Sequence, residues 1–182
     1  MTIIRGISGT TATHIKATKA GELEVIAITE TELEHFSASG ESFAWPSLDT
    51  DIDAGDTRLL VKNTGGKFLV LSHAEFNPSN VVCKWCIGIG SEAATATGTA
   101  VTSINMNQIE SSKVEDYVAF DDETAHTDAP VMFKVTTSTV ESKDVSLRGI
   151  ILGKNHYIQI NQETESTSGQ VSIFGYFTEE LV

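Results

Sequence analysis

Residues 145–177 read VSLRGIIL-GKN-HYIQINQ-ETESTSG-QVSIFGYF, three strand-like runs separated by two polar breaks that each carry a glycine. Ile158 and Ile160 alternate with Tyr157, Gln159 and Asn161, and Val171, Ile173 and Phe177 alternate with Gln170, Ser172 and Tyr176. Alternation with period two is the mark of a half-buried strand, because successive side chains leave opposite faces of the pleat. Gly153-Lys154-Asn155 is a turn-competent connection, and residues 163–169 are polar enough for a solvated hairpin tip. These strands are expected at the centre of an all-β fold: an antiparallel, jelly-roll-like β-sandwich completed by the strands before them.

Working outward, residues 57–63 (TRLLVKN) and 67–76 (KFLVLSHAEF) flank Thr64-Gly65-Gly66 and predict a hairpin, since glycine reaches positive φ without steric cost. The run VVCKWCIGIG (81–90) alternates Val81, Cys83, Trp85, Ile87 and Ile89 on one face and predicts a central strand. Residues 114–120 and 131–137 alternate acceptably as strands, while Ser112-x-x-Glu115 could instead cap a helical turn. Residues 91–107 predict a long surface loop with one short strand near 101–106. The run TETELEHF (29–36) has too few apolar residues to anchor a helix. The expectation is nine or ten strands and no stable helix.

Residues 1–21 are rich in Thr, Gly, Ser and Ala and hold Arg5, Lys16, Lys19 and His14 but no acid, in a chain with 12 basic and 25 acidic residues and a net charge of −13. They predict an N-terminal extended arm suited to an acidic neighbour, with the sandwich domain over 22–182. The acidic balance, without a Lys/Arg cluster, argues against nucleic acid as a partner, because phosphate neutralisation supplies most of such affinity. A span of roughly 20 apolar residues, which a membrane helix needs, is missing, and the first residues lack the apolar run of a secretory signal.

The cysteines, Cys83 and Cys86, form C-K-W-C. Structural zinc usually takes four ligands, and no second pair accompanies this one. Within an extended strand their Cα atoms would lie about 10 Å apart, too far to bridge, so two reduced, packed thiols are expected. Asp49, Asp51 and Asp53 have the D-x-D-x-D spacing of a calcium loop, but Ala54 stands where that loop needs glycine and Leu60 where it needs glutamate. An acidic turn capping backbone N–H groups is the reading preferred to calcium. Phe43, Trp45 and Pro46 place aromatic bulk in a loop, with Trp45 a lid over one end of the sandwich or, alternatively, a ligand-stacking platform.

The histidines at 14, 35, 73, 126 and 156 are scattered, and His73, alternating with Leu69 and Leu71, reads as a satisfied, partly buried side chain. Glu24, Glu30, Glu32 and Glu34 read as a solvated acidic edge that discourages stray strand pairing. The glycines at 88 and 90 lack the third glycine of a dinucleotide fingerprint, and no nucleophile elbow, H-E-x-x-H or Walker loop occurs. No catalytic, metal or cofactor residue is assigned, and an enzyme is not expected.

The stretches GELEVIAITETELEHFSASGESFAW (21–45), LDTDIDAGDTRLLVKNTG (48–65), SNVVCKWCIGIG (79–90), GTAVTSINMN (98–107) and LGKNHYIQINQETESTSGQVSIFGYF (152–177) together resemble a family of small structural proteins of tailed bacteriophage virions. The resemblance implies an all-β body without catalysis, and capsid decoration (cementing) as the role. Major capsid protein and the chain itself, as a homotrimer, would be the partners. The place would be the particle surface, after synthesis in the host cytoplasm. The alternative is a glycan- or receptor-binding module of a tail fibre or baseplate, with Trp45, Tyr176 or His156 as stacking platform and the Asp49/Asp51/Asp53 loop holding calcium.

Overall fold

The computed structural model describes residues 4–8, 11–17, 23–29, 32–47, 57–77, 81–91, 98–107, 115–121, 129–163 and 169–179. In chain order these form β1 (Ile4–Ser8), β2 (Thr11–Ala17), β3 (Leu23–Thr29), α1 (Glu32–Ala38), β4 (Ser42–Pro46), β5 (Thr57–Asn63), β6 (Phe68–Phe76) and β7 (Lys84–Gly90). There follow β8 (Thr99–Ala100), β9 (Ile104–Asn105), β10 (Tyr117–Asp121), β11 (Val131–Thr136), β12 (Lys143–Ser146), β13 (Ile151–Leu152), β14 (Tyr157–Gln162) and β15 (Val171–Thr178).

The strands β4–β15 make two six-stranded antiparallel sheets. Sheet I has the order β11-β7-β14-β5-β10-β8; sheet II has the order β12-β6-β15-β4-β9, with β13 also on β6. The all-β sandwich expected from the alternation is therefore present. Its core lies between the sheets, where Leu59, Val61, Trp85, Ile87, Ile158 and Ile160 of sheet I meet Phe43, Trp45, Leu69, Leu71, Ile173 and Phe177 of sheet II. Side chains of both inner faces interdigitate in such a pair, which fixes register as firmly as the backbone ladder does.

The two runs expected at the centre are there, but in opposite sheets: β14 lies between β7 and β5, and β15 between β6 and β4. Residues 163–169 thus connect the sheets and do not close a hairpin. The run 145–152 is split between β12 and β13 by a turn in which Ile150 N–H donates to Leu147 O and Gly149 takes φ +88°.

The hairpin expected at Thr64-Gly65-Gly66 is also an arch between sheets, since β5 pairs with β10 and β14 while β6 pairs with β12, β13 and β15. Neither glycine takes the positive φ that a two-residue hairpin turn demands. Gly65 is needed for a different reason: its N–H donates to Asp116 O, and a Cβ there would stand 2.8 Å from the Asp116 Cβ. Asn63 locks the arch, its Nδ2 donating to Lys67 O (2.7 Å) and Leu152 O (2.8 Å) and its Oδ1 accepting from Gly65 N–H (3.0 Å).

Trp85 and Ile87 point into the core as predicted, but Val81 precedes β7 and is exposed. Neither cysteine is in a disulfide and both are buried, as expected. The outward face of sheet I is covered as well: Leu60, Tyr157 and Ala129 form a second apolar cluster with Phe120 against it. Ala129 N–H donates to Gln159 Oε1 (2.9 Å), which pins the chain entering β11 across the sheet. The Tyr157 ring fills the groove over Gly90, where a Cβ would come within 2.2 Å of it. That accounts for the outer glycine of the G-I-G run.

Residues 99–105 hold two two-residue strands, β8 on sheet I and β9 on sheet II, where one was expected. Between them Val101 is buried in the core and Tyr117 Oη both accepts from Ser103 N–H and donates to Ser103 Oγ, so this segment straps one open side of the sandwich.

The segment expected as an arm contains β1 and β2. They pair with β3 in a three-stranded antiparallel meander, and among the described residues these strands pair only with one another. Residues 23–28, which fall in the stretch 22–182 expected as the sandwich domain, lie in β3 and pair within that meander.

Candidate interaction surface

The inward residues of sheet II fix which positions face outward. Phe174 of β15 stands beside Ala44 of β4 and His73 of β6, and Ala44 stands beside Ile104 of β9. The neighbouring outward row runs Ser42, Tyr176, Val70, Ile151. Two adjacent rows thus carry no carboxylate, lysine or arginine. Charge enters only at the row of Glu75 and Asp144, beside Ser172 and Pro46.

A helix lies on part of this face. The seven-residue α1, where no stable helix was expected, is anchored by one aromatic contact: Phe36 stacks on Tyr176 with ring centroids 4.2 Å apart and planes 8° from parallel. Asn107 Nδ2 and Asn105 Nδ2 donate to Ala38 O and Gly40 O at its C-terminal end, satisfying carbonyls that the helix cannot. Helix propensity is overridden here by tertiary packing. Tyr176 and Ser42 are consequently buried, whereas Ile104 (53% exposed) and Ile151 (44%) flank the covered zone and remain open to solvent. Single exposed apolar residues are ordinary; two of them on one uncharged sheet face make it a candidate interaction surface.

His73 belongs to this outward face. The alternation that placed it with Leu69 and Leu71 is broken by a bulge at Ser72, since Phe174 pairs with His73 and Gly175 with Leu71. It is half-buried, as expected. Its ring lies flat on Phe174 at 4.3 Å, and Ser72 Oγ is 3.1 Å from its Nδ1.

The residues singled out for ligand stacking are not assembled into a platform. Trp45 lies on β4, not in a loop, and is completely buried, with edge-to-face contacts to Tyr117 and Phe177. Tyr176 is beneath Phe36. His156 is exposed in the turn before β14, with Nδ1 3.2 Å from Lys154 O. Asp49, Asp51, Asp53 and His126 lie outside the described residues, and so do the side chains of His14, Glu24, Glu30, Glu32 and Glu34. Among the described residues no group of three His, Cys, Asp or Glu side chains could hold a metal ion.

Two polar clusters remain. At the arch end of the sandwich, Lys67 Nζ pairs with Glu115 (2.7 Å) and Glu41 (3.4 Å) beside a cleft of about 350 Å³ that Asp116, Phe177 and Glu179 also line. The hydrogen bond to Glu115 raises the Lys67 pKa.

On the outer face of sheet I, Lys134 stands opposite Cys86 and pairs with Glu163. The Lys134 hydrogen bond, then the Cys86 thiol, holds the Glu163 carboxyl below the usual carboxylate range. Burial, then Glu163, pushes the Cys86 thiol up. A protonated thiol is a poor nucleophile, so this cysteine packs and donates a hydrogen bond.

The signs give a pH dependence. The depressed Glu163 pKa contributes stability that is present above the ordinary carboxylate pKa and is lost as pH falls through the folded value. Wild type is therefore expected to melt above Glu163→Gln near neutrality, with the gap narrowing as pH falls below the ordinary carboxylate range. Thermal melts of both proteins across that range check this, and a constant gap would remove the ion pair from the account.

No protein-family model, no curated protein and no solved structure matches the chain.

Proposed function

We propose that the chain is a non-enzymatic virion structural protein that binds the outside of a phage capsid and stabilises it, as a head decoration or cement protein. Major capsid protein and further copies of the chain are its partners in this reading. The observation that carries it is the uncharged, partly exposed outer face of sheet II, a surface suited to protein contact. The strand order fits the same reading. The four-stranded runs β4-β15-β6-β12 and β5-β14-β7-β11 follow the strand order of a jelly roll, an architecture used in viral capsid domains. The resemblance of residues 21–45, 48–65, 79–90, 98–107 and 152–177 to virion structural proteins points the same way. An acidic body would keep such a protein soluble before assembly.

The test is co-sedimentation with heads that lack the chain, purified from the phage that encodes it. Saturable binding and a raised temperature of head disruption are expected. A chain lacking residues 1–29 loses the whole meander and none of the sandwich pairing. It is expected to keep the melting behaviour of the sandwich while its head binding falls at least tenfold. Failure of the full chain to bind would overturn the reading, and full binding by the truncated chain would remove the N-terminal segment from the contact.

A further inference from the structure

Cys86 lies where outward side chains of sheet I converge. On one side of it β11 sets Lys134 directly opposite, and on the other β14 sets Asn161. Residues directly opposite each other hold their Cβ atoms about 4.5–5.5 Å apart. Glu163 follows two residues after Asn161, and its N–H donates to Lys84 O at 2.8 Å, so it continues the β14 pairing and shares the face of Cys86. Lys134 Nζ bonds the Glu163 carboxylate. The strands that carry this pair flank β7 and lie two spacings apart, about 10 Å, so the lysine side chain crosses β7 over the Cys86 thiol. The thiol shares hydrogen bonds with both the carboxylate and the ammonium group.

The other cysteine cannot capture an oxidised Cys86. Cys83 turns the opposite way and is completely buried in the core between the sheets, and a disulfide needs both Cβ atoms on one side. Cys86 keeps a narrow opening (7% exposed), while the side chains of Lys134 and Glu163 are 60% and 36% exposed. A small oxidant can therefore reach the thiol, and the Lys134 nitrogen is the nucleophile held against it. We propose that oxidation joins Cys86 Sγ to Lys134 Nζ in a sulfenamide, which fastens the edge strand β11 to β7.

Hydrogen peroxide is the oxidant, one molecule for each bond made. The sulfur attacks a peroxide oxygen, an S–O bond forms as the O–O bond breaks, and the thiol is oxidised by two electrons to a sulfenic acid with release of water. A nitrogen beside a sulfenic acid condenses with it. The Lys134 ammonium group gives one proton to Glu163, which passes it to solvent, and the free amine attacks the sulfur. The S–N bond forms, the S–O bond breaks, and the departing hydroxide takes a second proton from the nitrogen to leave as water. Thiol, amine and peroxide thus yield the sulfenamide and two waters. Burial pushes the Cys86 thiol up and the hydrogen bond to Glu163 raises Lys134, so both nucleophiles are freed as pH rises and the reaction is slow near neutrality. A cross-link that closes the loop from β7 to β11 constrains the unfolded chain and raises the melting temperature.

The test needs no capsid and is independent of the proposed function. Full-length chain is treated with hydrogen peroxide under alkaline conditions, alkylated, digested and analysed by mass spectrometry. A linked peptide pair joining Cys86 to Lys134 is expected, with the intact chain lighter by about 2 Da, the two hydrogens lost on forming the S–N bond. Dithiothreitol should restore both the mass and the untreated melting temperature. Lys134→Arg, at an exposed position, should lower the yield of linked chain at least tenfold, and Glu163→Gln should slow its formation several-fold. Lys84→Arg should leave it unchanged, although Lys84 is the other amine on this face of β7. Cys86 recovered only as unlinked sulfenic or sulfinic acid, a link to Lys84, a disulfide between two chains, or an undiminished yield in Lys134→Arg would each overturn the proposal.

Discussion

Asn63→Ala is expected to lower the free energy of unfolding by about 2–4 kcal/mol, because three side-chain hydrogen bonds disappear, two of them buried, and a buried group left without a partner costs about 1–3 kcal/mol. The side chain is completely buried at the end of β5. Two of its bonds hold carbonyls of Lys67 and Leu152 on the sheet II side of the arch; the third holds the Gly65 N–H. Alanine removes all three; the Gly65 N–H keeps Asp116 O, so the loss falls on the Lys67 and Leu152 carbonyls. The backbone bonds of Asn63 to Asn155 and His156 remain, so the fold is expected to persist with reduced stability. Asn63→Asp keeps an acceptor for Gly65 but turns a carboxylate toward two carbonyls, and should be destabilised as well. Urea unfolding measures both. A loss below about 1 kcal/mol for alanine, the net worth of one ordinary hydrogen bond, would mean that the arch is not held by this residue.

Trp85→Ala should cost at least as much, about 3–5 kcal/mol, as expected for emptying a large aromatic site in a closed core. A sharper comparison uses phenylalanine at both tryptophans. Both indoles are fully buried, but Trp85 Nε1–H donates to Thr137 Oγ1 at 3.0 Å, whereas Trp45 Nε1–H has no acceptor among the described residues. Trp85→Phe removes packing and strands the buried Thr137 hydroxyl. Trp45→Phe removes packing and also an unpaired donor. Trp85→Phe is therefore expected to be the more destabilising by about 1–3 kcal/mol, the cost of a buried polar group without a partner. Equal losses, or the reverse order, would contradict this account of the core.

These two residues also show what the sequence disclosed and what it withheld. Alternation identified the strands around Trp85, Ile158 and Ile173, because period two is imposed locally by the pleat. It could not say that β14 and β15, or β5 and β6, belong to opposite sheets, since an arch and a hairpin can share the same turn residues. What separates them is Asn63 reaching Leu152, 89 residues away. Trp45 was misplaced because Pro46 and the acidic residues after it resemble a loop, although Phe43 and Trp45 already alternate.

The interaction surface left a trace that simple alternation missed. In QVSIFGYF the positions opposite Ile173 and Phe177 include Phe174 and Tyr176, which a solvated face would not need. The Ser72 bulge hid the partner of Phe174 by shifting His73 out of phase. Helix α1 could not be foreseen because Phe36 gains its anchor from a residue 140 positions later.

A reconstruction by electron cryomicroscopy of heads carrying the chain tests the assembly role most directly. The account predicts repeated two-layer β-sandwich density on the outer surface of the shell, with sheet II turned into a contact and hidden from solvent. Bare heads, or the sandwich found on the tail with sheet II facing solvent, would contradict it.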